Sequence, residues 1–171
     1  MQPCFFRKKS SPKSSRWNDL TAQIYKGITY LDIAEEKVFM ADPETTVAEI
    51  AGVMVAHWID SIFIVDADEH ILGIVTDGVL LSLIAKEREL QGLTARDVMA
   101  TPVYCVKASE TVVPWEKLKE TFLKKHNRVN RVAIIDDNDK LIGVLNTNFL
   151  KKIGHFSRSF EISLKKKEKG D

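Results

Sequence analysis

The 171-residue chain has few cysteines and no long apolar run, and these absences exclude several classes of protein. Its only cysteines are Cys4 and Cys105, so no disulfide framework or cluster of metal-binding thiolates is indicated. The apolar runs fall far short of the roughly 18–20 residues needed to span a bilayer. The opening "MQPCFFRKK" also lacks an apolar core of signal-peptide length. We therefore expect a soluble cytoplasmic protein.

Motifs that would indicate phosphate-binding loops, metal sites or catalysis are also missing. The chain has no P-loop and no GxGxxG. Its four histidines form no metal-spaced pair, and no Ser or Cys nucleophile motif accompanies them. The acidic stretches 66–70 and 136–140 lack the glycine and distal glutamate of an EF-hand, and Asp and Asn favour tight turns. The sequence predicts no metal site, and nothing in it indicates an enzyme.

Charge divides the chain into an acidic body and two basic ends. Residues 1–16 contain five Lys/Arg and no acids, residues 151–171 contain seven against three, and residues 17–150 contain thirteen against twenty-one. Segments rich in Ser and Lys cannot bury enough apolar surface to offset their ordering entropy, so flexible basic tails are expected at 1–16 and 155–171. A solubilising role is the simpler interpretation of the tails, and the signal for nucleic-acid or membrane binding is not strong.

What the chain does contain is an internal repeat. Residues 29–47 align with 94–112 at an offset of 65, and residues 64–75 align with 134–145 at an offset of 70. The matched pairs include Thr29 with Thr94, Asp32 with Asp97, Asp66 with Asp136, and Gly73 with Gly143. The five-residue difference falls in the helix or loop between the two aligned blocks.

Each copy predicts the element order β-α-β-β-α. In the first copy we expect a strand near 37–41, a helix capped by Thr46, strands at 61–66 and 71–76, and a helix from Gly78 to about Gly92. In the second we expect a strand near 103–107, a helix capped by Thr111, strands at 132–136 and 141–145, and a helix at 147–153. The predicted inward faces of the first copy's helices are Val47, Ile50, Ala51, Met54 and Trp58, then Val79, Leu80, Leu83, Ile84 and Leu90.

Two such units are expected to share one core, because a sixty-residue unit alone buries only part of its surface. The predicted fold is α+β, with two β-α-β-β-α repeats packed sheet to sheet about a pseudo-twofold axis and clefts between them. The predicted division is a disordered tail at 1–16, a leading helix at 17–28, a first repeat at 29–92, a second repeat at 93–154 and a basic tail at 155–171.

The two units resemble a tandem pair of CBS domains, known as a Bateman module. The resemblance is carried by "TTVAEIAGVM" (45–54), "IVDADEHILGIVTD" (64–77), "DVMATPVYCV" (97–106) and "AIIDDNDKLIGVL" (133–145). It implies assembly of modules into a homodimer and binding of adenosine-type ligands in the central clefts.

The resemblance also implies a ribose clamp at each strand-to-helix corner, made by a Ser or Thr and by an Asp three residues later. In the first repeat Thr76 keeps the hydroxyl, but Val79 replaces the aspartate. In the second, Asn146 replaces the hydroxyl residue and Phe149 replaces the aspartate. Ribose recognition is therefore weakened at both corners, since each lost charge-assisted hydrogen bond forfeits about 1.5–3 kcal/mol.

A basic residue before the second strand of a repeat contacts ligand phosphates in some members of the family. Arg131 occupies that place, with Arg128 nearby, and Arg suits phosphate because its planar fork donates two hydrogen bonds at once. The alternative is that both arginines are solvated surface residues. The first repeat has only Asp60 and Ser61 at the equivalent place. Further cleft contacts implied by family placement are Met40, Ala41, Asp42, Ile59, Ser61, Cys105 and Val106.

Two bulky residues of the first repeat depart from the family pattern. Trp58 stands where glycine is common and Phe63 where proline is common, and their size would narrow the first cleft. The sequence thus indicates a regulatory module, not an enzyme, which binds an adenosine-type or other phosphorylated ligand, such as an adenine nucleotide, in the cleft between the repeats. It would transmit its occupancy to an unknown partner protein. The alternative is a ligand-free dimerisation scaffold whose clefts are closed by Val79, Phe149 and Trp58.

Overall fold

A computed structural model describes residues 7–9, 27–35, 37–113, 118 and 129–152. Its elements, in order, are β1 (Arg7–Lys9), a 3-10 turn (Leu31–Ile33), β2 (Val38–Ala41), α1 (Val47–His57), β3 (Ser61–Val65), β4 (Ile71–Thr76), α2 (Asp77–Ala85), α3 (Ala95–Val98), β5 (Cys105–Lys107), β6 (Arg131–Ile135), β7 (Leu141–Asn146) and α4 (147–152). Most of the predicted leading helix, the helix after Thr111 except for Leu118, and the C-terminal tail lie outside the described residues. Among the helices described, none is long and apolar enough to cross a bilayer.

The strands form two sheets with the same internal pattern. The first has the order β1-β2-β3-β4 and the second β5-β6-β7. In each, the early strand is parallel to its neighbour, and the next two strands form an antiparallel hairpin. Met40 lies opposite Phe63 and Cys105 lies opposite Ala133, which are the pairs that the offsets of 65 and 70 relate. The predicted fold of two equivalent repeats is confirmed.

Isolated bridges between the repeats also occur in equivalent pairs. Thr29 pairs with Thr111 as Thr94 pairs with Thr46, and Glu35 pairs with Val144 as Ala100 pairs with Ile74. His70 pairs with Lys140, which is its own equivalent in the other repeat. A contact between equivalent residues places the two hairpin turns at the pseudo-twofold axis.

Helix α1 begins at the predicted capping box and ends earlier than its apolar pattern suggests. The Thr46 hydroxyl accepts from the Glu49 amide at 3.2 Å, and the Glu49 carboxylate accepts from the Thr46 amide at 3.0 Å. Ile50 and Met54 are buried. The prediction was wrong for Trp58, which is 96% exposed. It ends the helix in the left-handed region with φ 54°, where its side chain leaves the buried face.

Helix α2 is shorter than predicted. It ends at Ala85 and buries only Leu83 fully, while Ile84 is 60% exposed and Leu90 also lies outside the core. A turn stops the helix, because Glu87 takes φ 52° and its amide donates to the Ile84 carbonyl. The apolar residues beyond that turn therefore cannot continue the buried face.

Part of the predicted disordered N-terminal tail forms a strand. Residues 7–9 pair antiparallel with β2, with Lys8 opposite Phe39. A sheet edge offers unpaired backbone groups, so pairing there does not require apolar side chains. For these three residues the expectation of disorder is corrected.

Buried side chains form three clusters, and each repeat completes one of them with a segment from the other. The central cluster joins both sheets through residues such as Met40, Phe63 and Ala133. Tyr30, from the start of the first repeat, lies in the cluster of the second sheet. Conversely Ala95, from the start of the second repeat, lies in the cluster of the first sheet. The leading segments are exchanged, so neither repeat encloses its own core.

The exchanged segments contact glycines on the hairpin strands. A Cβ on Gly73 would lie 2.6–2.9 Å from the Met99 side chain, and a Cβ on Gly143 would lie 3.1 Å from Ala34. Gly73 and Gly143 are equivalent residues, as are Met99 and Ala34. Glycine at these places lets the leader of one repeat lie directly on the other.

Replacing Gly73 with Ala should therefore destabilise the protein by about 1–3 kcal/mol, because Met99 must shift away from β4. The matched control is Gly52→Ala on the exposed side of α1, where an added Cβ meets nothing within 4 Å. Its better helix propensity should raise the free energy of unfolding by up to about 1 kcal/mol. Urea denaturation measures both, and equal stability of Gly73→Ala and the parent would contradict the close approach.

Candidate functional site

Two cavities lie side by side at the end of the sheets where β4 enters α2. The first, which we call the helix cavity, has a volume of about 680 Å³, and its lining includes α1 and α2 side chains such as Val55 and Leu81. The second, the inter-repeat cavity, has a volume of about 420 Å³ and lies between Thr76–Gly78 of the first repeat and residues 100–104 and 129–131 of the second. Asp60, Asp77 and Arg131 line both cavities.

An ion cluster that crosses from one repeat to the other separates the cavities. The Arg131 guanidinium donates from Nε to Asp60 Oδ1 at 2.9 Å and from Nη2 to Asp60 Oδ2 at 2.7 Å. Its Nη1 donates to both carboxylate oxygens of Glu35, at 3.1 and 3.4 Å. The Arg131 side chain is only 16% exposed, so the alternative of a solvated surface arginine is wrong for this residue.

The cluster shifts the pKa values of Asp60 and Arg131 in the direction expected for a stable ion pair. Burial raises the pKa of the Asp60 carboxyl, but the hydrogen bonds and charge of Arg131, with a hydrogen bond from Ser61, outweigh burial and hold that pKa below its ordinary value. Burial lowers the pKa of the Arg131 guanidinium, and hydrogen bonds and charge from Asp60 and Glu35 more than offset it, leaving that pKa raised. Both shifts favour the charged forms, so Asp60 and Arg131 form an ion pair at neutral pH.

The corner of the first repeat brings polar groups to the mouth of the inter-repeat cavity. The Thr76 hydroxyl accepts from the Val79 amide at 3.2 Å and caps α2. The Asp77 carboxylate accepts from the Gly78 amide at 2.6 Å. Val79 itself packs against the core of the first sheet. Local capping thus explains a hydroxyl at position 76 without any ligand, and the hydroxyl still has a proton to donate.

At the equivalent corner of the second repeat, the side chains make hydrogen bonds and packing contacts within that repeat. Asn146 accepts through its side-chain oxygen from the Asn148 amide at 3.0 Å. The Thr147 hydroxyl is buried and donates to the Val129 carbonyl at 2.8 Å. Phe149 packs against the core of the second sheet. Neither Asn146 nor Phe149 lines either of the two cavities.

The remaining predicted contacts fall into three groups. Ile59 and Ser61 line the helix cavity. Asp42 is exposed, and the four from the early strands are buried or half-buried in the cores, away from the lining of both cavities: Met40, Ala41, Cys105 and Val106. Arg128 lies outside the described residues. The ligand-contact role of all these residues stays a prediction.

Several lining residues escaped the sequence reasoning. Glu35, Pro102 and Tyr104 line the cavities, although none of them is predicted from the sequence as a ligand contact. One signal could have identified Glu35. It aligns with Ala100 of the second repeat, and each of the two residues pairs with a hairpin strand of the opposite repeat. Within the described ranges, no group of three or more His, Cys, Asp or Glu side chains is arranged to hold a metal ion.

The Asp60–Arg131 pair should contribute to stability in a pH-dependent way. Because the folded state lowers the pKa of Asp60, the contribution is present above the ordinary value of 3.8 and is lost as the pH falls through the lowered folded-state value. A double-mutant cycle with Asp60→Ala and Arg131→Ala should give a coupling of about 0.5–1 kcal/mol at pH 7, reduced by the partial exposure of Asp60. Urea denaturation at pH 7 and pH 3 measures it, and a coupling that grows in acid would refute the assignment.

Comparison with known proteins identifies both repeats. The model of the CBS domain family matches residues 31–86 and 95–148, which together exceed half of the chain. An uncharacterised protein of Methanopyrus kandleri is 29% identical over 70% of this chain and 59% of its own length. The inosine-5'-monophosphate dehydrogenase of Methanocaldococcus jannaschii is 31% identical over 67% of this chain. This chain spans only 21% of that dehydrogenase.

Solved structures show the same fold. The CBS domain pair of protein MJ0100, in complex with 5'-methylthioadenosine and S-adenosyl-L-methionine, superposes with a TM-score of 0.61 at 19% identity, over 74% of this chain and 94% of that one. CBSX2 in complex with AMP superposes with a TM-score of 0.58 at 22% identity, over 80% of this chain and 99% of that one.

Proposed function

Since the chain belongs to the CBS domain family, we propose that it is a small-molecule-sensing regulatory module which binds an adenosine-type ligand in the inter-repeat cavity. The observation that carries the proposal is the position of that cavity, which lies between the Thr76 corner of one repeat and residues 100–104 and 129–131 of the other. A molecule bound there contacts both repeats at once.

The lining of the inter-repeat cavity supports a nucleoside-sized ligand. A volume of about 420 Å³ falls in the range of roughly 300–1,000 Å³ that is common for small-molecule sites. Pro102, Val103 and Tyr104 supply apolar and aromatic surface for a base, and Thr76 supplies a hydroxyl that can donate to a ribose oxygen. The wall also carries polar side chains that can fix the orientation of a ligand: Asp60, Thr76, Asp77, Thr101, Asn130 and Arg131.

The proposed signal is a change in how the repeats pack on each other. The cavity wall includes the leader of the second repeat, Ala100–Tyr104, which pairs with β4 through Ala100 before it crosses to β5. A ligand that binds one packing arrangement more tightly shifts the population toward it, by no more than its differential affinity. A regulated partner protein in the cytoplasm would read the new arrangement.

The solved relatives support the adenosine class only indirectly. MJ0100 and CBSX2 hold adenosine derivatives, but at 19% and 22% identity their likeness to this chain concerns the fold. The chain spans about three fifths of the Methanopyrus protein and one fifth of the dehydrogenase, and the match to the dehydrogenase is no ground for assigning its activity here. A non-enzymatic role is therefore part of the proposal.

A ligand panel tests the proposal. Adenosine, 5'-methylthioadenosine, S-adenosylmethionine, AMP, ADP, ATP, GTP and cyclic dinucleotides would be added during thermal unfolding. A true ligand at a hundred times its dissociation constant should stabilise the fold by about 2.7 kcal/mol, a clear rise in melting temperature. The wider class predicted from the sequence, a phosphorylated ligand, is covered by the same panel.

A cavity-filling variant locates the site. Ala100→Phe places a ring in the inter-repeat cavity and should abolish the ligand-induced shift. Ala67→Phe, in the exposed turn between β3 and β4, is the matched control and should keep the shift. A shift that survives Ala100→Phe would move the site elsewhere, and a flat panel with the parent chain would remove the ligand-sensing function.

A second candidate function, a homodimerisation scaffold, is favoured by an apolar patch on the helices of the first repeat. Val55, Trp58, Leu81 and Ile84 are 77%, 96%, 63% and 60% exposed. The first three also line the helix cavity. Contiguous exposed apolar side chains of this size mark interaction surfaces. The proposed occupant is the same patch of a second copy, since one self-complementary surface suffices for a twofold dimer.

Leu81→Glu should convert a dimer to a monomer in sedimentation equilibrium, because it buries a charge in the proposed interface. Ala67→Glu adds the same charge at the distant hairpin turn and should leave the dimer intact. Trp58→Gly is a second variant, since glycine relieves a left-handed residue whose strain costs about 1–2 kcal/mol. It should weaken the dimer without destabilising the monomer, and a dimer unaffected by both variants would exclude this surface.

A further inference from the structure

We propose that the inter-repeat cavity selects adenosine-type ligands without a phosphate group, because Asp60 and Glu35 already occupy the hydrogen-bonding edges of Arg131. This inference rests on the proposed function and specifies its ligand class. It also gives a definite reason why the phosphate-anchoring role that the family resemblance implies for Arg131 would not operate in the parent chain.

The hydrogen-bond donors of Arg131 are nearly all engaged. A guanidinium has five N–H donors, and a phosphate is best held by two parallel donors on one edge. The Nε–Nη2 edge is bidentate to Asp60 at 2.9 and 2.7 Å. The Nη1 group donates to Glu35 at 3.1 and 3.4 Å. A phosphate could approach the guanidinium edge only by displacing a carboxylate that is already in place.

The charges around the cavity disfavour an anion. Among the residues that the structure describes, the charged side chains lining the inter-repeat cavity are Asp60, Asp77 and Arg131, a formal excess of one negative charge. Glu35 adds a second negative charge on the other side of Arg131. Lys37 lines the helix cavity and is not among the described residues that line the inter-repeat cavity. Like charges in a partly buried site repel more strongly than in water.

The N-terminus of α2 does not reverse this balance. Its dipole attracts anions, but two of its first amide groups already donate to the chain itself, that of Gly78 to Asp77 and that of Val79 to Thr76. The Asp77 carboxylate also lies in the first turn of α2 and on the wall of the inter-repeat cavity. Side chains of this protein thus already accept hydrogen bonds from the N-terminal amide groups of α2.

The ligands expected from these observations are neutral or cationic nucleosides. Adenosine and 5'-methylthioadenosine bring no charge to the cavity, and S-adenosylmethionine brings a net positive charge that the excess carboxylate favours. AMP, with the same base and ribose, must bring its phosphate next to the acidic wall. AMP should therefore bind about tenfold or more weakly than adenosine.

Isothermal titration calorimetry with the full chain tests the selectivity. Adenosine, S-adenosylmethionine and AMP would be titrated at pH 7.5 and low salt. Weaker binding of AMP by about tenfold supports the inference. Equal or tighter binding of AMP overturns it and leaves the ligand-sensing function standing, whereas no binding of any of the three overturns both.

Neutralising the carboxylates should release Arg131 for phosphate. In the double variant Glu35→Gln, Asp60→Asn, AMP affinity should rise about tenfold while adenosine affinity stays within about twofold. The single variant Glu35→Gln, at a largely exposed side chain, should give a smaller rise in the same direction if the double variant unfolds. The control is Glu44→Gln, which removes one negative charge from the exposed Arg96 pair away from both cavities and should leave AMP binding unchanged. AMP affinity that does not rise in a folded variant would overturn the inference.

Discussion

The structure depends on the reciprocal exchange of the two leading segments. Residues near Tyr30 complete the core of the second sheet, and Ala95 completes the core of the first. The exchange requires close contact with the hairpin strands, which the glycines of the "GIV" and "GVL" segments permit. Because each core is closed by the other repeat, folding of one repeat is coupled to folding of both, and main-chain bridges join the two repeats.

This coupling explains why the cavities and the ion cluster lie at the junction. The leaders that cross between sheets also pair Glu35 with Val144 of β7 and Ala100 with Ile74 of β4. Arg131 begins β6 and Asp60 precedes β3, so the same crossing sets the two side chains on facing corners. A charge pair there joins the repeats at their most open edge. A change in how the repeats pack therefore moves Arg131 and the cavity wall directly.

Local features of the site were predictable where a short-range pattern determined them. The capping box at Thr46 could be identified from spacing, and the resemblance to CBS domains implied the loss of both ribose aspartates. The exposure of Trp58 and the end of α2 could not be predicted from the sequence. The apolar periodicity continues past the point where the backbone turns and the helix ends. The partners of Arg131 were also inaccessible, because Glu35 and Asp60 are 96 and 71 residues away.

The sequence by itself determined the duplication, the order of elements in each copy and the register that relates them, because these follow from hydrophobic periodicity and local turn chemistry. Only the tertiary structure decided which leader covers which sheet and which carboxylates meet Arg131. Those choices depend on how two complete sheets face each other, and that geometry arises from contacts between residues far apart in the chain. The charge on the wall of the inter-repeat cavity is therefore also decided by the tertiary structure.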